Sequence, residues 1–212
     1  MPILLDWKPD SHSVAAVWKI QEPEQFFLEA EDLQGVFQER AIKHPVRKLE
    51  FLAGRFLLKY LRKDFPLKLI QADEFGKPRL PDNQYFFSIS HSYPFVAAMI
   101  STKTECGLDI QTWKPQIGTI AHMFLSEEEK EICRNENQLF TLAWSVKEAV
   151  YKWNGKRGID FIQDLPISII RSNIEIFQHL NNSEQYLVDI HCKGEPIQPK
   201  AALFKDFSLA FV

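Results

Sequence analysis

The sequence predicts an α+β protein of two similar halves, with antiparallel sheets packed against helices. Three observations carry this expectation. Short apolar runs such as "YFFSIS", "FVAAMIS" and "CGLDIQTW" are joined by tight polar connections, as antiparallel strands are. Two long stretches, one starting at Pro45 and one near residue 138, instead repeat their apolar residues every three or four positions, as amphipathic helices do. The order of leading strand, helices and strand run then occurs twice, although no residue-level repeat is visible. A boundary near 102 to 106 follows, giving subdomains 1–104 and 105–212. No low-complexity linker separates them, so they are expected to pack together with a site between them.

The elements are justified in order. "PILLDW" and "SVAAVWKI" are short apolar runs separated by the turn-rich "KPDSH", and read as a strand pair. From Pro45, which suits a first helical position, Val46, Leu49, Phe56 and Tyr60 fall on one side of a long helix. "LKLIQA" reads as a strand and "EFGKPRLPDN" as a loop. After the strand at 106 to 111, helical patterns cover roughly 117 to 134 and 138 to 153. The strand candidates "ISIIR", "IEIFQ", "QYLVDIH", "KAALF" and "FSLAFV" complete the chain.

Composition narrows the function. The chain has 212 residues, 45% of them hydrophobic, so two small cores are affordable in size. A formal net charge of −3 gives no reason to expect nucleic acid or a membrane surface as partner, and any anion site must be local. The three widely spaced cysteines, Cys106, Cys133 and Cys192, fit neither a disulfide framework nor a zinc knuckle. The N-terminal residues do not read as a signal peptide, and no run approaches the ~20 apolar residues of a membrane span. A cytoplasmic protein is expected.

Two segments raise a chemical question. On the helix at 138 to 153, Glu148 and Lys152 lie four apart, on a different side from the apolar stripe of Leu139, Leu142, Val146, Ala149 and Val150. The ordinary reading is a solvated pair worth only ~0.3 to 0.5 kcal/mol. In "ECGLDIQTW", a strand's period of two sends Gly107, Asp109 and Gln111 to one side. A mid-strand aspartate needs a cation or donors nearby, unless the strand is an edge with a polar face. If strand and helix face each other, Asp109, Glu148 and Gln111 supply hard oxygen ligands to one divalent ion. Magnesium suits so few protein ligands. Elsewhere "FSISHS" places Ser90 and His91 at a turn after a strand at 85 to 90, and "GKP" holds Lys77 between glycine and proline. Together these would make a phosphate clamp.

"FGKPRL", "FSISHS", "CGLDIQ" and "WSVKEAVYKWNGKRG" occur in the order and spacing of the 4'-phosphopantetheinyl transferases, and the chain resembles the larger, monomeric, surfactin-synthetase-activating type over about residues 45 to 165. The resemblance implies two similar α/β subdomains in a pseudo-twofold arrangement, with the metal ligands in the second. It implies that Asp109 and Glu148 bind Mg2+, that Lys152 contacts the diphosphate, and that Trp144 and Lys147 complete the W-x-x-K-E-x-x-x-K signature. It also implies that Ser90 and His91 meet phosphates of coenzyme A, the histidine reaching the 3'-phosphate, with Lys77, Arg47 and Lys147 as further cofactor-binding residues. Arg55 is a looser match. One of Glu127, Glu128 or Glu129 falls where the family has a glutamate near the metal. Gln111 departs from the family pattern, which has glutamate there, and puts a three-carboxylate site in doubt.

The implied reaction moves the phosphopantetheine arm of coenzyme A to a serine of an acyl- or peptidyl-carrier protein and releases 3',5'-ADP. Asp109, Glu148 and Lys152 would be catalytic, and either Glu148 or a metal-bound water would take the serine proton. Lys156 and Arg157 of "NGKRG" either dock an acidic carrier or are ordinary surface charge. The alternative is a non-catalytic module that binds coenzyme A or a carrier protein, with Gln111 marking a weakened metal site.

Overall fold

In the computed structural model, residues 3–30, 33, 42–172 and 183–212 are described. The expected strand "IEIFQ" lies outside them. The chain divides into two compact units, Met1–Cys106 and Gly107–Val212. Mixed helix and antiparallel sheet, the fold class expected, is found in both.

In the first unit, strand β1 (Ile3–Trp7) pairs antiparallel with β2 (Ser13–Lys19). The short helix α1 (Glu24–Leu28) and the long helix α2 (Pro45–Leu61) follow, the latter with proline in its first turn, where a missing N–H costs nothing. A small hairpin, β3 (Gln71–Ala72) with β4 (Pro78–Arg79), precedes β5 (Phe86–Ser92) and β6 (Phe95–Ser101). Among the described residues the main sheet runs β1-β2-β6-β5. Helix α2 buries Phe51, Leu52, Ala53, Leu57 and Leu58 against Trp18, Phe27, Val96, Ala98 and Ile100.

"LKLIQA" is not the strand expected. Leu67–Leu69 form a 3-10 turn and only Gln71 and Ala72 pair as a strand. Leu67 alone of that turn is buried, so the run lacks the packed face that would hold it in a sheet.

The second unit opens with β7 (Leu108–Thr112), passes through α3 (Ile117–Ile120) and α4 (Glu127–Ile132), and reaches the long helix α5 (Asn137–Asn154). Strands β8 (Ile167–Ser172), β9 (Glu184–Cys192), β10 (Glu195–Ile197), β11 (Lys200–Leu203) and β12 (Phe207–Phe211) complete it. The helical pattern at 117 to 134 is thus broken into two helices with a 3-10 turn at Ala121–Met123 after the first. Ser126 interrupts it as the N-cap of α4, its hydroxyl accepting from Glu129 N–H and its own N–H donating to the Glu129 carboxylate.

The repeat hidden in the sequence appears in the topology. In the first unit the leading strand β2 pairs with the last strand β6, which pairs with β5. In the second, β7 pairs with the last strand β12, which pairs with β11. Each unit's long helix lies on this three-strand core: α2 packs on β6 and β2, and α5 on β12 and β7.

Candidate active site

Strand β7 begins where Gly107 passes under α5. A Cβ at Gly107 would lie 1.9 Å from the Ala149 carbonyl oxygen and 2.7 Å from Trp153 N, so only glycine permits this spacing. The period of two then aims Asp109 and Gln111 at the same helix. Asp109, 5% exposed, accepts a hydrogen bond from Lys152 Nζ to Oδ1 at 2.7 Å, and the same ammonium donates to the Leu108 carbonyl at 3.2 Å. Small Ala210 is the sheet neighbour of Asp109, and Ser208 is the neighbour of Gln111.

Glu148 joins this group from α5. Burial pushes its carboxyl above the ordinary range, Lys152 pulls it down and the Asp109 charge pushes it up. Two carboxylates and an ammonium therefore occupy one partly enclosed region, and the side chain of Lys152 remains 25% exposed. Gln111 lies beside them on the sheet, its amide nitrogen donating to the Thr112 carbonyl at 3.1 Å. Two fully buried hydroxyls, Ser145 Oγ one helical turn before Glu148 and Ser208 Oγ beside Gln111, have no hydrogen-bond partner among the described residues.

Among the described residues no cluster of three or more His, Cys, Asp or Glu side chains forms. An ion here would have at most two carboxylates and the amide oxygen of Gln111. Such a hard-oxygen set, next to buried hydroxyls with unmet bonding capacity, fits a cation that keeps much of its hydration, as magnesium does.

Lys147 is a correction to the expectation that it binds the cofactor. Its side chain is 0% exposed, its Nζ lies 2.6 Å from Glu129 Oε1, and it donates to the carbonyls of Phe124 and Phe161, both at 2.8 Å. Glu129 meanwhile accepts from Ser126 N–H and from Ile167 N–H, each at 2.8 Å. Desolvation holds the Lys147 amine below its ordinary range, with Glu129 opposing that shift. All three partners are protein, so this ammonium ties α4 and the chain at 161 to 167 to α5. Of the acidic trio, Glu129 is the buried one, while Glu127 pairs with Lys130 at the surface. Its buried partner is Lys147.

The first-unit candidates are placed differently from the expected clamp. His91 lies inside β5, which extends to Ser92, rather than at a turn tip. Ser90 precedes it in the same strand, so the two side chains point to opposite sheet faces, and Ser90 is buried. Lys77 Nζ pairs with Glu105 Oε2 at 2.7 Å, and Arg79 reaches both Glu105 and Asp73. These contacts and two backbone N–H bonds from Phe75 and Lys77 to Asp73 Oδ1 fix the hairpin. Arg47 is exposed in the first turn of α2, and Arg55 stacks on Phe51 with its guanidinium carbon 3.5 Å from the ring centroid. Lys156 and Arg157 are exposed after Gly155, whose φ of 72° ends α5 in the left-handed region.

Sequence reasoning passed over Glu50 and Glu105, which meet His91 and Lys77. Neither carries a local signal, since each partner lies at least 28 residues away in the chain.

The family model of the 4'-phosphopantetheinyl transferase superfamily matches residues 105–212, and the chain belongs to that family. It is 32% identical over 136 residues to the 4'-phosphopantetheinyl transferase AcpT of Escherichia coli O157:H7, covering 60% of this chain and 68% of that one. To the AcpT of Salmonella typhi it is 35% identical over 118 residues, covering 52% of this chain and 60% of the relative. A putative 4'-phosphopantetheinyl transferase of Haemophilus influenzae is 31% identical over 142 residues, covering 63% and 59%. No described helix is long and apolar enough to cross a membrane.

Proposed function

We propose that this protein transfers the 4'-phosphopantetheine arm of coenzyme A to a serine hydroxyl of an acyl- or peptidyl-carrier protein, releasing 3',5'-ADP. The observation that carries the reading is the meeting of Asp109 and Glu148 around Lys152 in the unit matched by the family model. Two topologically similar units support placing the chain with the larger, surfactin-synthetase-activating type, and action as a monomer in the cytoplasm is part of the same proposal.

Asp109 and Glu148, with Gln111 as a candidate third ligand, would hold Mg2+. The ion would supply charge neutralisation at the diphosphate of coenzyme A. Lys152 adds a cation at the same place and offsets charge developing on the departing ADP oxygen. The serine oxygen forms the new bond to phosphorus as the bond from phosphorus to the ADP oxygen breaks. Glu148 is also the proposed acceptor of the serine proton, through a carboxylate oxygen not engaged by the ion. His91 is proposed to meet the 3'-phosphate, with Lys77 and Arg47 as further phosphate contacts. Ser90 and Lys147 are not assigned substrate contacts. Lys156 and Arg157 form the proposed docking charge for an acidic carrier.

The test is mass spectrometry of apo carrier proteins incubated with the protein, coenzyme A and magnesium. A mass gain of one phosphopantetheine arm is expected, with at least a ~10³-fold loss of rate in Asp109→Ala and in Glu148→Ala. Coenzyme A binding without any adduct would instead make the protein a binding module.

A further inference from the structure

Helix α2 sits close to the edge strand β5 because Gly54 gives it room. A Cβ there would lie 2.9 Å from Ile89 Cγ2 and 3.7 Å from Val96 Cγ1. His91 follows Ile89 on the same face of β5 and is the cross-strand partner of Val96. One helical turn before Gly54, α2 carries Glu50, which thereby reaches the end of the β5-β6 hairpin. Glu50 Oε1 accepts from Tyr93 N–H at 3.1 Å, and Oε2 lies 3.1 Å from His91 Nδ1.

Glu50 is 7% exposed, whereas the His91 side chain is 39% exposed. A single turn N–H does not require a buried carboxylate, since a neutral amide or a water would accept from it without the desolvation of a charge. The second oxygen explains the choice. A carboxylate facing Nδ1 demands a proton on that nitrogen, fixes the ring plane and leaves Nε2 as the outward nitrogen. It also gives the ring a buried counter-charge when Nε2 carries a proton and donates to an anion.

We propose that Glu50 is a positioning residue for His91: it holds the Nδ1 proton and the ring plane, so that the ring, when Nε2 is also protonated, donates from Nε2 to the 3'-phosphate of coenzyme A. This rests on the reading of His91 as the 3'-phosphate contact. The role differs from packing in one respect: its loss should be felt by ligands that carry that phosphate and not by ligands that lack it.

The experiment measures dissociation constants of coenzyme A and 3'-dephospho-coenzyme A by calorimetry for the wild type, Glu50→Gln, His91→Ala and the double variant. Glu50→Gln can still accept from Tyr93 N–H through its amide oxygen, but then turns an NH2 toward Nδ1. The preference for coenzyme A over its dephospho form should fall about tenfold in Glu50→Gln and at least as far in His91→Ala. The double variant should lose no more than His91→Ala. Nitrogen NMR of the imidazole should show the Nδ1–H tautomer in the wild type and its loss in Glu50→Gln. If Glu50→Gln keeps the wild-type preference while His91→Ala loses it, or weakens both ligands equally, Glu50 is architectural and the positioning role is overturned. An unchanged preference in His91→Ala would overturn the 3'-phosphate reading and the positioning role together. A wild-type ring protonated only at Nε2 would overturn the positioning role alone.

Discussion

Helix α5 carries two lysines five residues apart, about 140° around its axis, and each meets a buried carboxylate in a different kind of place. Lys147 is sealed: Glu129 and two carbonyls take its hydrogen bonds, and Glu129 also receives the N–H groups of Ser126 and Ile167. Lys152 is open: it meets Asp109 and the Leu108 carbonyl, stays a quarter exposed, and has beside it Glu148, a carboxylate whose burial is only partly offset by that ammonium. The same residue types thus build a strut on one side and a partly open charged cluster on the other. What separates them is whether the protein completes the bonding or leaves charge and access for a ligand. A half-buried carboxylate that its ammonium only partly offsets costs stability, and an enzyme tolerates that where chemistry needs it.

The sharpest way to break this contrast is to damage the sealed side. Lys147→Met leaves Glu129 buried without its cation and should destabilise the protein by about 3 to 5 kcal/mol in denaturant unfolding. Adding Glu129→Gln should recover at least half of that, because the buried charge is gone while an acceptor for the N–H groups remains. No recovery would mean that the pair does not act as a unit.

The next effect isolates the open side. Gly107→Ala forces α5 away from β7 at the Ala149 carbonyl, separating Lys152 from Asp109, while Lys147 meets Glu129 of α4 from another side of the helix. A loss of about 1 to 3 kcal/mol is expected, with a disproportionate loss of transfer rate in the fraction that stays folded. A folded variant with wild-type turnover would show that the spacing of helix and strand is not what assembles the site.

The smallest effect has the opposite sign. Because the folded-state carboxyl of Glu148 is raised, its protonated form favours folding. That contribution is complete below the unfolded-state value near ~4.3 and is lost as pH rises through the folded-state one. Glu148→Gln, which removes the charge, should therefore melt at a higher temperature than the wild type at pH 8. The two should converge as the pH is lowered toward the ordinary carboxylate range. A wild type more stable than the variant at pH 8 would mean that Lys152 more than compensates Glu148, and the contrast between the two sides would fail.

Much of this was legible before any coordinates. Period-two alternation put Gly107, Asp109 and Gln111 on one side of a strand, and helical spacing put Glu148 and Lys152 on one side of a helix. These are local facts, since the pleat and the helical turn act over a few residues. Glu148 and Asp109 could be expected to meet only by supposing that the two elements face each other. The misread segments are equally instructive. "LKLIQA" has strand composition but little buried surface to hold it in a sheet, and β10, three residues long with Pro196 at its centre, carries no strand pattern of its own.

By itself, then, the amino-acid order determined the type of the long elements, the doubled plan and the side of its element on which each charged residue stands. Tertiary packing decided that Lys147 is sealed against Glu129, that Lys152 stays partly open beside Asp109, and that Glu50 meets His91. The reason is that a charge's role depends on its desolvation and on which distant groups complete its bonds. Those partners lie 18 residues from Lys147, 43 from Lys152 and 41 from His91, beyond the reach of any periodicity.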